Sequence, residues 1–169
     1  MVSIVLSAVV GAFVALVFGE WREARQRVRE KSGLAKLLLA EMKRNSPDSD
    51  EPTVVVDVVV DIERNIRHEI VQADTSNLPR LDAWRETRTR VAQLFESQDF
   101  VLLADYYQIL QTLSDNPSPS YIKLGEIKES QVWRSELPEQ QSWGERTEAL
   151  QKRLRRYADP PSRVRLLGF

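Results

Sequence analysis

His68 is the chain's one histidine, and it stands in Arg64-Asn65-Ile66-Arg67-His68-Glu69. A metal-binding helix of the HExxH kind needs a second histidine further along the same face. Gln72 stands one helical turn on from His68, so His68 reads as a surface or interface residue. Asp57 and Asp61 are one helical turn apart, and Glu63 and Asp105 lie on other polar stretches. A di-metal carboxylate bundle draws Glu-x-x-His pairs from two helices, and this sequence holds none. The lack of cysteine removes thiol catalysis, disulfides and zinc ribbons. Six glycines form neither a GxxxxGK[ST] loop nor a GxGxxG turn, and phosphate-cradling loops need glycine at those fixed positions. The expectation is a protein without catalytic activity, with no catalytic, cofactor-binding or metal-ligating residue to name.

The elements that would position such residues are more informative. Residues 2–18, VSIVLSAVVGAFVALVF, carry no charge. Seventeen residues at about 1.5 Å rise span roughly 26 Å, short of the ~30 Å hydrocarbon core of a bilayer, and Met1 and Gly19 extend the stretch slightly. Trp21 stands where an aromatic belt residue belongs, and Arg22 and Arg25 are long enough to snorkel to headgroups. A signal peptide would have a basic segment before the apolar run and a small-residue cleavage site after it. This run has neither, and a core helix is seldom apolar on every face. Residues 1–19 are therefore expected to form a transmembrane helix. Residues 20–45 hold eight basic residues against four acidic ones. The positive-inside rule then places the carboxyl-terminal side in the cytoplasm and the amino terminus outside the inner membrane.

Ser3, Ser7, Gly11, Ala15 and Gly19 follow one another at four-residue steps, and all are small. On a helix of 3.6 residues per turn this stripe drifts by about 40° per step. Small residues let membrane helices approach closely, and such a stripe suits a right-handed crossing. The expectation is helix packing through this face, with a homo-oligomer as its product.

Beyond the span, no proline interrupts residues 20–45. Trp21, Ala24, Val28, Lys31, Ala35, Leu38, Met42 and Asn45 keep the 3–4 spacing of a seam between packed helices, as in a coiled coil. Residues 20–33 read as a basic juxtamembrane stalk, which would also draw anionic lipid. The leucine density rises after Gly33, so residues 34–157 read as a cytoplasmic helical bundle that begins on the same helix.

The rest of the body reads as five further helices. Residues 53–73 are rich in β-branched residues, but Val55, Val59, Ile62, Ile66, Ile70 and Ala73 continue one helical face. Asp82 is placed to cap a helix over 83–96. Ser97-Gln98-Asp99 separates it from a helix over 100–114, and Ser118-Pro119 opens one over 121–133. Ser142 and Glu145 form a capping-box pattern before a helix over 144–157. Residues 158–169 are a basic, apolar tail. Trp84, Phe95, Phe100, Tyr106, Tyr107, Trp133, Trp143 and Tyr157 supply core volume in preference to a ligand pocket. The fold class expected is all-α: an amino-terminal transmembrane helix that continues into an antiparallel cytoplasmic bundle.

The near-zero net charge of -1 is a cancellation between segments. Residues 46–82 hold nine acids and three bases, whereas residues 145–169 hold three acids and seven bases. No basic–aromatic module accompanies the carboxyl-terminal bases, so no nucleic-acid partner is expected. That tail could instead lean on the membrane.

Four stretches carry a resemblance: Trp21-Arg22-Glu23-Ala24-Arg25, then Leu37 to Asn45, and later Leu81-Asp82-Ala83-Trp84 and Ala104-Asp105-Tyr106-Tyr107. Together with the span they are similar to a class of small, uncharacterised bacterial single-span membrane proteins. The resemblance implies topology and a helical cytoplasmic domain, and it implies no active site. The functional expectation is a membrane-anchored, self-associating interaction or scaffold protein, with the lipid bilayer and a cytoplasmic protein as partners and no cofactor. The alternatives are a membrane-active effector, such as a toxin or phage-defence component acting through its oligomerised span, and a helical sensor of a small ligand.

Overall fold

The computed structural model describes residues 2–47, 53–61, 66–73, 77–115, 122–123, 130–137 and 142–160, with the backbone alone at 2–12, 57–61, 66–70, 72, 122–123 and 132. The elements in chain order are α1 (Val2–Arg44), β1 (Val54–Asp61), β2 (Ile66–Ala73), α2 (Asp82–Leu94), α3 (Ser97–Asp115), β3 (Ile122–Lys123), α4 (Gln131–Glu136) and α5 (Trp143–Ala158). The protein is mostly helical, as expected, but it is not purely α.

The departure lies at residues 53–73, where a helix was expected. They form an antiparallel pair instead, in register from Val54↔Ala73 to Asp61↔Ile66. β3 adds to the other side of β2, with Val71 opposite Ile122, giving the order β1-β2-β3. The reason is side-chain stiffness. A run of valine fits a pleated surface better than a helix, where branching at Cβ crowds the preceding turn. Burial follows period two: Val54 is fully buried and Val55 is 39% exposed. A helical face through Val55 would have buried it. The expected helix over 121–133 is also corrected. Its start is the strand β3, and its end is the short helix α4, which Ser130 caps by accepting the backbone N–H of Trp133.

The other helices fall close to their expected places. Ser97-Gln98-Asp99 is the first turn of α3 and not a separator, and the chain breaks at Phe95 and Glu96. The capping box at α5 is present in both halves: the Ser142 side chain accepts from the Glu145 amide, and Glu145 accepts from the Ser142 amide. Asp82 does not cap α2. The N-cap residue is Leu81, which offers no side-chain hydrogen bond.

α1 is one unbroken helix of 43 residues. The far part of its seam is the centre of the core: Ala35, Leu38, Met42 and Asn45 are all inaccessible to solvent. α5 packs along α1 and α2 also lies against it, so α1 is held between them. The ends of α5 fix its sense. Ser32 of α1 bonds Ala158 at the end of α5. Trp143 at its start stacks on Tyr106, which feels the charge of Glu41. α5 therefore runs antiparallel to α1, and its carboxyl end points toward the apolar end of that helix.

The aromatic residues pack as core. Trp84 stacks on Tyr107 at 4.8 Å between centroids, Tyr107 meets Tyr106 edge-on at 5.2 Å, and Tyr106 stacks on Trp143 at 5.5 Å. Such offset and edge contacts add to the area buried. Among the described residues no helix is long and apolar enough to cross a membrane. The side chains of residues 2–12, the larger part of the expected span, lie outside the described residues.

Candidate functional site

Among the described residues, polar groups gather inside the protein and along one face of α1. Glu41, buried on α1, accepts the backbone N–H of Ala83 at 2.8 Å and of Trp84 at 3.2 Å. These are amides of the first turn of α2, which have no partner within their own helix. One turn on, Asn45 closes the same junction. Its Nδ2 donates to the Arg80 carbonyl at 2.7 Å, while its Oδ1 accepts from the Arg80 amide at 2.9 Å and from the Thr53 hydroxyl at 3.1 Å. The Tyr107 hydroxyl meets no hydrogen-bond geometry. Burial, reinforced by the nearby Glu41 charge, holds the phenols of Tyr106 and Tyr107 well above the ordinary tyrosine range. This arrangement fixes the fold and leaves no acid–base pair facing a cleft.

A second knot ties α3, α4 and α5 together. Asp99 accepts from Tyr157 and, at 3.3 Å, from Arg153, which also pairs with Glu136. Partial burial, then the hydrogen bond to Asp99 and its charge, push the Tyr157 phenol upward. The Tyr157 ring in turn carries the Lys31 ammonium 4.3 Å from its centroid, with the Phe95 ring 5.9 Å away on the same cation. Lys31, an odd member of an apolar seam, is thus paired to aromatic faces.

The other region is on the surface. Arg25, Val28, Arg29, Ser32 and Lys36 share one face of α1, and Pro160 closes it, leaving an open recess of about 350 Å³. The Ser32 hydroxyl donates to the Ala158 carbonyl at 2.6 Å, which holds the end of α5 against this face. Lys36 lies 3.9 Å from Asp159, both well exposed. Arg25 leans back one turn, with its guanidinium carbon 5.2 Å from the centre of the Trp21 ring. Side chains on a helix lean toward its amino terminus, so this direction is the expected one. Among the described residues neither Arg25 nor Arg29 makes an ion pair. The chemistry of the recess is that of an anion site: two unmatched guanidiniums, an ammonium and an apolar floor at Val28.

The residues expected from sequence fall as follows. Trp21, Arg22 and Arg25 lie on one turn of α1, with Trp21 edge-on to Phe18 at 6.5 Å. Ser3, Ser7 and Gly11 lie outside the residues whose side chains are described, on helical backbone. Ala15 is exposed, and a Cβ placed on Gly19 would meet nothing within 4 Å. No group of three or more acidic or histidine side chains fit to hold a metal occurs among the described residues. Arg29 and Lys36 entered the sequence reading as bulk charge alone. Their spacing from Arg25 shows a shared face, but only the arrival of Pro160 makes that face a recess. Compared with protein-family models, with curated proteins and with solved structures, the chain matches none.

Proposed function

We propose that this chain is a single-pass inner-membrane protein without catalytic activity that self-associates through its span and presents its helical body to another protein in the cytoplasm. One observation carries the reading. Phe13, Val14, Ala15, Leu16, Val17 and Phe18 are consecutive on α1, and every one is exposed. Phe13 is 66%, Leu16 68% and Phe18 60% accessible. Six consecutive positions cover the whole circumference of a helix. Burying one large apolar side chain is favourable by about 1.5–3 kcal/mol, so this surface in water is costly. Hydrocarbon covers all faces at once. Residues 2–12 extend the same uncharged run, and Trp21, Arg22 and Arg25 follow where headgroups would be.

The test is extraction of the full-length protein from membranes with alkaline carbonate. The expected result is retention in the membrane pellet, with release after deletion of residues 2–18. Release of the intact chain by carbonate would overturn the proposal. A green fluorescent protein fused after Phe169 is expected to fluoresce, and alkaline phosphatase at the same place to be inactive, because that end faces the cytoplasm.

A further inference from the structure

We infer that the outer edge of β1 is an interface between two copies of this chain, which pair there antiparallel with Val58 opposite Val58 of the second copy. The inference goes beyond the proposed contact through the span and does not depend on it. β1 is an edge strand, because the sheet order is β1-β2-β3 and β3 adds to β2. Its register with β2 runs unbroken over all eight residues, Val54 to Asp61, about 27 Å of backbone. Proteins guard such an edge with lysine, proline, a bulge, a very short strand or a covering helix. β1 has no lysine, no proline and no bulge. Among the described residues β2 is its one extensive neighbour. The outer part of the hairpin also lacks a third strand, since β3 pairs only with Ile70 and Val71. A two-stranded hairpin is marginally stable in water, so a further strand beside β1 is favourable.

The occupant is a second copy because the strand is complementary to itself. Two copies related by a two-fold axis pair residues of the same face, so the pairing is centred on a residue and not between two. Centring on Asp57 or on Val58 pairs the longest stretches, 54–60 or 55–61 of each copy. Centring on Asp57 sets Asp57 against Asp57, and like charges directly opposite are destabilising. Centring on Val59 sets Asp57 against Asp61. Centring on Val58 sets Asp57 opposite Val59, Asp61 opposite Val55 and Val56 opposite Val60. The aspartates therefore select the Val58 register. Alternation places Val56, Val58 and Val60 on the face of Val54, which is sealed where it meets the core, and Val56 also packs there. The same alternation places Asp57 and Asp61 on the face of Val55, which is exposed. Joined at this edge, the two copies continue one valine face across the axis and leave the acidic positions on the open face.

The chain has no cysteine, so a single introduced one reports its own neighbour. The experiment treats full-length V58C, in freshly lysed cells, with a short bismaleimide and reads the products on a denaturing gel. Directly opposite residues stand about 5 Å apart, so V58C is expected to give a covalent dimer. In the same register Val55 of one copy and Val55 of the other are six positions apart along the strands, about 20 Å. V55C is therefore expected to give a dimer yield lower by roughly fivefold or more. An unchanged thermal transition checks the fold of each variant. Equal yields from V58C and V55C, or no dimer from V58C, would overturn the pairing. A V58C product with a different protein in place of the dimer would overturn the second copy as the occupant. A chain that still self-associates through its span but gives no V58C dimer would sink this inference and leave the membrane reading standing. A V58C dimer from a chain that carbonate releases would do the reverse.

Discussion

Glu41 and Ala83 lie forty-two positions apart, and the Glu41 carboxylate accepts the Ala83 amide at 2.8 Å. α2 thus begins on a side chain from another helix. Its own first residues provide no cap, since Leu81 at the N-cap has no side-chain acceptor. The carboxylate also sits at the positive end of the α2 dipole, where negative charge is favoured.

Glu41→Ala is expected to destabilise the protein by about 1–3 kcal/mol, the range for losing a cap together with hydrogen bonds at a buried site. Glu41→Gln keeps one acceptor oxygen and loses the charge, so its cost should be smaller. Denaturant unfolding followed by circular dichroism measures both. Equal transitions in wild type and Glu41→Ala would refute the capping role.

Asn45→Leu should cost more, about 3 kcal/mol or above. It strands the Arg80 amide and carbonyl and the Thr53 hydroxyl, which Asn45 now partners. Asn45→Asp keeps the acceptor but sets a carboxylate against the Arg80 carbonyl, so it should also destabilise. Rescue by the aspartate would show that Nδ2 contributes nothing.

The strand pairing makes a contrast that a helix would reverse. Val54→Lys is expected to cost about 2–4 kcal/mol, because the position is sealed. Val55→Lys should stay within about 0.5 kcal/mol, on the open face. Comparable costs at the two positions would contradict the period-two burial.

The tyrosines set a pH limit. Tyr106, Tyr107 and Tyr157 have phenols raised above the ordinary value of 10.0 in the folded chain. Above that value the unfolded chain gives up these protons while the folded chain keeps them, so the stability they contribute is present below about pH 10 and is lost as pH rises. Thermal unfolding between pH 8 and 11.5 is expected to show a falling midpoint above pH 10, with the tyrosinate absorbance of these three residues appearing only on unfolding. Tyr157→Phe should flatten that fall. Tyrosinate absorbance in the folded protein near pH 10.5, at the amplitude of all four tyrosines, would contradict the shifts.

Within the membrane reading, Gly11→Ile should weaken self-association of the span by about 1–2 kcal/mol, a fivefold to thirtyfold change in the dimerisation constant. A membrane reporter assay on the full chain measures it, with Val10→Ile, off the small-residue stripe, as the control. Equal signals in the two variants would remove the stripe as the contact.

The local pattern of the sequence determined a good part of this protein. The capping box at Ser142 and Glu145 was legible because both partners lie three residues apart, and short-range geometry alone decides such a motif. The seam at Ala35, Leu38, Met42 and Asn45 was legible because a helix with one buried face must repeat its apolar residues every three or four positions. Residues 53–73 were ambiguous for a physical reason. The run at 54–60, apolar at every position but Asp57, satisfies both periods, and only pairing with a neighbouring strand settles which one buries Val54 and exposes Val55. The tertiary structure alone decided what distant residues do for one another. Glu41 replaces the expected Asp82 cap, Lys31 finds aromatic faces 4.3 and 5.9 Å away, and Pro160 turns a basic helix face into a recess. Each of these needs two segments far apart in the chain to meet, and no spacing within a single segment encodes such a meeting.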